Sequence, residues 1–106
     1  MSKYSEMSIQ DLTRQVCDEM GIKPRHKINF GNERTTMLYD PVAQSWDCCY
    51  PVMDALLSIT TGINLKSDGT ATTEINGKQE SAGGGHCRAI CELYLMAKHA
   101  EVKHDR

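Results

Sequence analysis

Residues 83–98 read Gly83-Gly84-Gly85-His86-Cys87-Arg88-Ala89-Ile90-Cys91-Glu92-Leu93-Tyr94-Leu95-Met96-Ala97-Lys98. Three glycines lead directly into a segment whose apolar residues recur at helical spacing, which predicts a strongly amphipathic helix over about 86–100. The glycine run is compatible with three roles: a flexible hinge, a cradle for an anion, or half of a metal site. The choice between these roles largely decides the class of function.

The chain has the size and composition of one globular domain, predicted over 1–106. It contains 106 residues, of which 40% are hydrophobic and 25% charged, an ordinary balance for a folded protein. The formal net charge is −2 and no basic arm appears, which argues against broad nucleic-acid binding. No apolar run approaches the roughly 18 residues of a membrane span. The N-terminal residues lack the apolar region of a signal peptide, so we expect a cytoplasmic protein.

Five cysteines are many for a small cytoplasmic protein: Cys17, Cys48, Cys49, Cys87 and Cys91. Their odd number and the missing export signal argue against a disulfide framework. Free cysteine commonly behaves as a small buried apolar residue. Because Cys87 and Cys91 fall on the same helical stripe as Ile90 and Tyr94, we interpret them chiefly as core.

Two chemical roles of the cysteines are alternatives to this packing role. A zinc site would combine Cys48-Cys49 with His86–Cys91, but the chain has no Cys-x-x-Cys pair, and adjacent cysteines rarely bind one tetrahedral ion. A nucleophilic Cys87 would need a base such as His86 or His99, and no acidic residue lies at a suitable spacing to orient it. We therefore predict no metal, no cofactor and no catalysis.

Local signals place the first two helices. Ser8 and Asp11 resemble a capping box before an apolar face over 9–20, and Gly21 is well placed to end that helix. A second helix is predicted over about 47–58, with Ser45 or Asp47 as its cap and an apolar face that includes Leu57. Its Pro51 must lie in the first turn or produce a kink.

The rest of the chain is assigned from turn residues. Asp68-Gly69 lies between two extended segments, 59–65 and 70–76, and predicts a hairpin. Residues 77–85 are predicted to form a mobile loop and 102–106 a frayed tail. Residues 25–43 fit either two short strands around Gly31-Asn32 or an irregular loop.

Together these elements predict an α+β fold, in which three helices pack on a small antiparallel sheet that contains the hairpin. The predicted core is Ile9, Leu12, Val16, Val52, Leu56, Ile63, Ile75, Ile90, Leu93, Tyr94 and Ala97.

Three segments follow one another along the chain: Tyr4-Ser5-Glu6-Met7-Ser8, then Tyr39-Asp40-Pro41 with Ser45-Trp46-Asp47 and Tyr50-Pro51-Val52-Met53, and then His86-Cys87-Arg88-Ala89-Ile90-Cys91. In their order and spacing they resemble the NinX-like family of small proteins of tailed bacteriophages and prophages. The resemblance spans most of the chain. It implies a phage accessory protein that acts in the bacterial cytoplasm, and it supplies no catalytic residues.

The candidate binding residues form two groups. Trp46, the only tryptophan, lies in a polar stretch near Tyr50, and aromatic residues and arginine are enriched at interface hot spots. Trp46 equally fits a staple that packs on the core. Gly84, Gly85 and Arg88 would offer free N–H groups and a charge to an anion, although no Gly-Lys-Ser/Thr of a Walker loop follows.

The favoured interpretation is non-catalytic binding to a host or defence-system protein, with Trp46, Tyr50 and Arg88 as contacts. Self-association into a homo-oligomer through the same patch is a close variant. The alternative is a small anion or nucleotide binder that uses the loop and helix start at 83–88. The partner of Arg88 helps to distinguish a binding role from a structural one. If Arg88 pairs with an acidic residue of the protein, a purely structural role is favoured.

Overall fold

The computed structural model describes residues 3–24, 26–31 and 34–104, and confirms the predicted α+β class. The described elements are a 3₁₀ turn (Lys3–Glu6), α1 (Ile9–Met20), β1 (His26–Gly31), β2 (Arg34–Leu38), α2 (Trp46–Ile59), β3 (Ile63–Leu65), β4 (Ala71–Ile75), β5 (Lys78–Ala82) and α3 (His86–His104).

Helix α3 forms the centre of the fold. It packs against α1, α2 and the strands β4 and β5. All side chains from Ala89 to Leu95 are buried, so burial extends around its whole circumference. The prediction of a strongly amphipathic helix is therefore wrong, because a helix enclosed by its neighbours keeps no broad solvent face. The helix also continues from the expected end at Ala100 to His104, which corrects the predicted frayed tail over 102–104; residues 105–106 lie outside the described part.

Helix α1 is confirmed with both of its predicted ends. Ser8 is the N-cap, and its Oγ accepts a hydrogen bond from the backbone N–H of Asp11 at 3.1 Å. Gly21 ends the helix in the left-handed region with φ 76°. Leu12 and Val16 are fully buried against the core.

Helix α2 begins at Trp46, one residue before its predicted start. Ser45 occupies the N-cap position but makes no capping hydrogen bond with its side chain. Pro51 is the sixth helical residue rather than a first-turn residue, so the helix lacks the bond that a normal residue there would donate one turn back. Leu57, predicted to be buried, is 42% exposed.

The larger sheet is antiparallel with the order β3-β4-β5. The predicted hairpin is confirmed in its later part, since Leu65 pairs with Ala71 around Asp68-Gly69. Its first strand begins at Ile63, because the residues up to Ile59 complete α2. The predicted loop over 77–85 is wrong over Lys78–Ala82, which forms the edge strand β5. An edge strand pairs on one side only, so it tolerates the polar residues that had indicated a loop.

Of the two alternatives for residues 25–43, two short strands or an irregular loop, the structure has two strands. They form a second, separate sheet. Strands β1 and β2 pair antiparallel, with His26 opposite Leu38 and a register shift between Asn29 and Gly31. Residues 25, 32 and 33, including the predicted turn residue Asn32, lie outside the described residues.

The predicted core is largely confirmed. Ile9, Ile63 and Ile75 are half-buried at its margin, and the other eight predicted residues are buried. Val42, Tyr4 and four cysteines join it. Within 3–24, 26–31 and 34–104, no helix combines the length and the apolar character needed to cross a membrane.

Candidate functional site

Three rings meet where α2 and α3 begin. The ring centroids of Trp46 and Tyr50 lie 5.5 Å apart with the planes tilted by 41°, and the Trp46 and His86 rings lie 6.1 Å apart. Trp46 is half-buried and packs against the core, whereas Tyr50 is 52% exposed. Trp46 thus combines the packing role with a place beside an exposed aromatic ring.

A surface of exposed side chains, with the half-buried Trp46 at one end, runs from this cluster along α2. We call it the α2 face, and it consists of Trp46, Asp47, Tyr50, Asp54 and Leu57. At 3.6 residues per turn, these positions fall within about 100° of the helix circumference. The buried residues Cys49, Val52 and Leu56 point the opposite way, toward α3 and the core.

Arg88 is bound inside the molecule. Its Nε donates to Oε2 of Glu92 at 2.7 Å, and its Nη2 donates to the carbonyl of Met7 at 2.6 Å. The same Nη2 reaches the carbonyls of Tyr4 and Ser5 at 3.3 Å. The side chain therefore fastens the N-terminal segment to α3, and it is not brought together with Trp46 and Tyr50.

The glycine run packs the start of α3 against neighbouring groups. A Cβ on Gly84 would lie 2.9 Å from Cδ of Arg88, and one on Gly83 would lie 3.3 Å from Cγ2 of Thr70. Gly84 and Gly85 adopt φ values of 90° and 106°, which favour glycine. Next to them, Nε2 of His86 donates to the carbonyl of Lys66 at 2.5 Å. These contacts hold the β3–β4 turn against α3.

An open groove of about 620 Å³ lies beside this junction. Its charged lining residues are Lys66, Asp68, Arg88 and Glu92, so the formal charges cancel. Hydrogen bonds from the hydroxyl and backbone N–H of Thr70 hold the pKa of Asp68 below its usual value. Because Arg88 is already paired, the groove offers an anion little uncompensated positive charge.

The cysteines cluster at the interface of α2 and α3. The Cys49 thiol points at the carbonyl of Cys87 (3.9 Å), and the Cys91 thiol donates to the carbonyl of Val42 (3.4 Å). Burial raises the pKa of the Cys87 thiol to about 11, with the neighbouring Cys49 adding to the shift. A protonated thiol is a poor nucleophile. Within the described ranges, no group of three or more His, Cys, Asp or Glu side chains is arranged to hold a metal ion.

Sequence reasoning identified Trp46 and Tyr50, missed Asp54 and Leu57, and considered His86 only as a zinc ligand or a base. Leu57 was placed on the apolar face of the second helix because it follows Met53 by four residues, which is helical spacing. The spacing of 46, 50 and 57 is equally helical, and it marks a second stripe of large apolar residues. That stripe was the available signal for the α2 face.

The chain matches no protein-family model, no curated protein and no solved structure.

Proposed function

We propose that this protein acts by non-catalytic binding to another protein, and that the α2 face is the contact surface. The observation that carries the proposal is the aromatic pair of Trp46 and Tyr50, with the Tyr50 ring 52% exposed. Exposed Leu57 extends this apolar area by two helical turns. Rigid aromatic side chains at the centre of an interface supply much of its binding energy.

The partner we propose is a host or defence-system protein in the bacterial cytoplasm. The resemblance to the NinX-like phage family supports this choice, since that family implies an accessory protein made inside an infected cell. Trp46 and Tyr50 are the proposed contacts. Arg88 is left out, because Glu92 already neutralises its charge and its Nη2 binds the carbonyl of Met7.

Affinity capture from a lysate of the bacterial host tests the proposal. The wild-type chain should retain a specific protein, and Tyr50→Ala should weaken the affinity roughly 30-fold, as expected from a hot-spot loss of about 2 kcal/mol. The melting temperature should change little, because Tyr50 is largely exposed. Leu38→Ala is the matched control, since Leu38 is exposed to 42% on β2. Equal capture by wild type and Tyr50→Ala would contradict the proposal.

Self-association through the α2 face is the nearest variant of this function. Sedimentation at increasing protein concentration distinguishes it, because a homodimer that Tyr50→Ala disperses would assign the face to a second copy of the chain.

The second candidate is a small anion or nucleotide binder at 83–88. The groove beside Gly84 and Arg88 is the observation that favours it. A ligand that binds only the folded state raises the free energy of unfolding by about 2.7 kcal/mol at 100 times its Kd. The melting temperature must rise as a result. We expect phosphate and nucleotides to leave the melting temperature unchanged, because the charges of the groove cancel. A clear rise with either would favour this second function over protein binding.

A further inference from the structure

We infer that the α2 face recognises a partner segment that presents an arginine beside apolar side chains. The inference rests on the proposed function and adds the chemistry of the partner. It follows from the negative charges of α2, from the closeness of an exposed aromatic ring to a carboxylate, and from the apolar side chain beside them.

The first argument is charge. Helix α2 carries two charged residues, Asp47 and Asp54, and contains no lysine, arginine or histidine. Both carboxylates are exposed, and neither forms an ion pair with another described residue. They flank Tyr50 at three residues before it and four residues after it. The exposed ring therefore lies between two uncompensated negative charges, which favours a cationic partner and opposes an acidic one.

The second argument is the combination of ring and carboxylate. Residues four apart on a helix have Cβ atoms about 5–6 Å apart, so the Tyr50 ring and the Asp54 carboxylate are neighbours. A guanidinium is planar: it stacks on an aromatic face and donates paired hydrogen bonds to a carboxylate. One arginine can thus use both groups together. A lysine ammonium gains the charge attraction but lacks the planar fork.

The third argument concerns the apolar neighbours. Leu57 follows Tyr50 by two turns and is 42% exposed, so the partner buries apolar area beside its arginine. The remaining ring of the cluster, His86, lies against Trp46 at the opposite end of the face. The end that carries Asp54 and Leu57 is the one open to an arginine.

Three synthetic peptides of equal length test the inference. Each alternates leucine with one charged residue, which is arginine, lysine or glutamate, and none contains tryptophan. The emission of Trp46, the only tryptophan of the chain, then reports binding. We expect the Kd of the arginine peptide to be at least about threefold lower than that of the lysine peptide, because the guanidinium also stacks on the ring. The glutamate peptide should not bind.

Variants locate the binding on the α2 face. Asp54→Asn should weaken the arginine peptide and flatten its salt dependence, and Tyr50→Ala should remove its advantage over lysine. Glu74→Gln is the matched control, because Glu74 is an exposed carboxylate on β4.

The peptide experiment and the lysate capture test the arginine inference and the protein-binding function separately. Equal binding of the arginine and lysine peptides, binding of the glutamate peptide, or binding of none would overturn the arginine inference. The lysate capture with Tyr50→Ala tests the protein-binding function independently of these peptides. If Tyr50→Ala loses the captured partner but the peptides show no preference for arginine, the protein-binding function stands and the arginine inference is wrong.

Discussion

Arg88 and Glu92, one turn apart on α3, form an ion pair of 2.7 Å that is almost closed to solvent. The Glu92 side chain is 3% exposed and the Arg88 side chain 16%. The same guanidinium donates to the carbonyl of Met7. Arg88 thus neutralises a buried charge and fastens the N-terminal segment to the central helix.

Removal of this arginine should be strongly destabilising. Arg88→Ala leaves the Glu92 carboxylate buried without a partner, which typically costs about 3–5 kcal/mol. Arg14→Ala is the control, because its pair with Asp11 spans 3.7 Å and both side chains are more than half exposed; exposed pairs contribute about 1 kcal/mol or less. Urea denaturation measures both. Similar losses in the two variants would show that the Arg88 pair adds no more than a surface contact.

Gly84→Ala should destabilise the start of α3. The added Cβ would approach Cδ of Arg88 to 2.9 Å, and the residue would have to keep φ 90°, a conformation that costs other residues about 1–3 kcal/mol. Gly62→Ala provides the comparison, since its Cβ would meet nothing within 4 Å and its φ is not positive. Thermal unfolding should show a lower melting temperature for Gly84→Ala alone. An unchanged melting temperature would mean that the junction relaxes freely.

The two serine caps should differ. Ser8→Ala removes the bond to the N–H of Asp11 and should cost about 1 kcal/mol. Ser45 holds the same position before α2 without a side-chain bond, so Ser45→Ala should cost clearly less. Urea denaturation of both variants gives the comparison. A larger loss for Ser45→Ala would be inconsistent with the uncapped start of α2.

The buried thiol of Cys17 should weaken the fold at high pH. Burial raises its pKa from 9.0 to about 11, and nearby carboxylates, Asp40 first, add to the shift. The folded state therefore favours the protonated thiol. This stabilisation is complete below pH 9 and is lost as the pH rises toward 11. The unfolding free energies of wild type and Cys17→Ala, measured across this range, should converge. A constant difference between them would contradict the raised pKa.

Local signals were enough to predict some elements and not others. Helix α1 is bounded by Ser8 and Gly21, whose roles depend on residues within a few positions. Strand β5 could not be recognised, because its polar residues gain their partners only when β4 lies beside them. The same holds for Arg88, whose carbonyl acceptors lie more than eighty positions earlier in the chain. Leu57 shows the remaining ambiguity, since helical spacing alone does not tell which of two apolar stripes faces the core.

The attachment of the N-terminal segment to α3 has a consequence for the order of events during synthesis. Arg88 binds the carbonyls of residues 4, 5 and 7, and the Tyr4 hydroxyl bonds with Nδ1 of His99 near the other end of the same helix. The ribosome therefore delivers these residues before the helix that holds them. Until α3 emerges, the apolar side of α1 at Leu12 and Val16 lacks its packing partner. Incomplete chains that stall before His86 present that surface to chaperones and proteases.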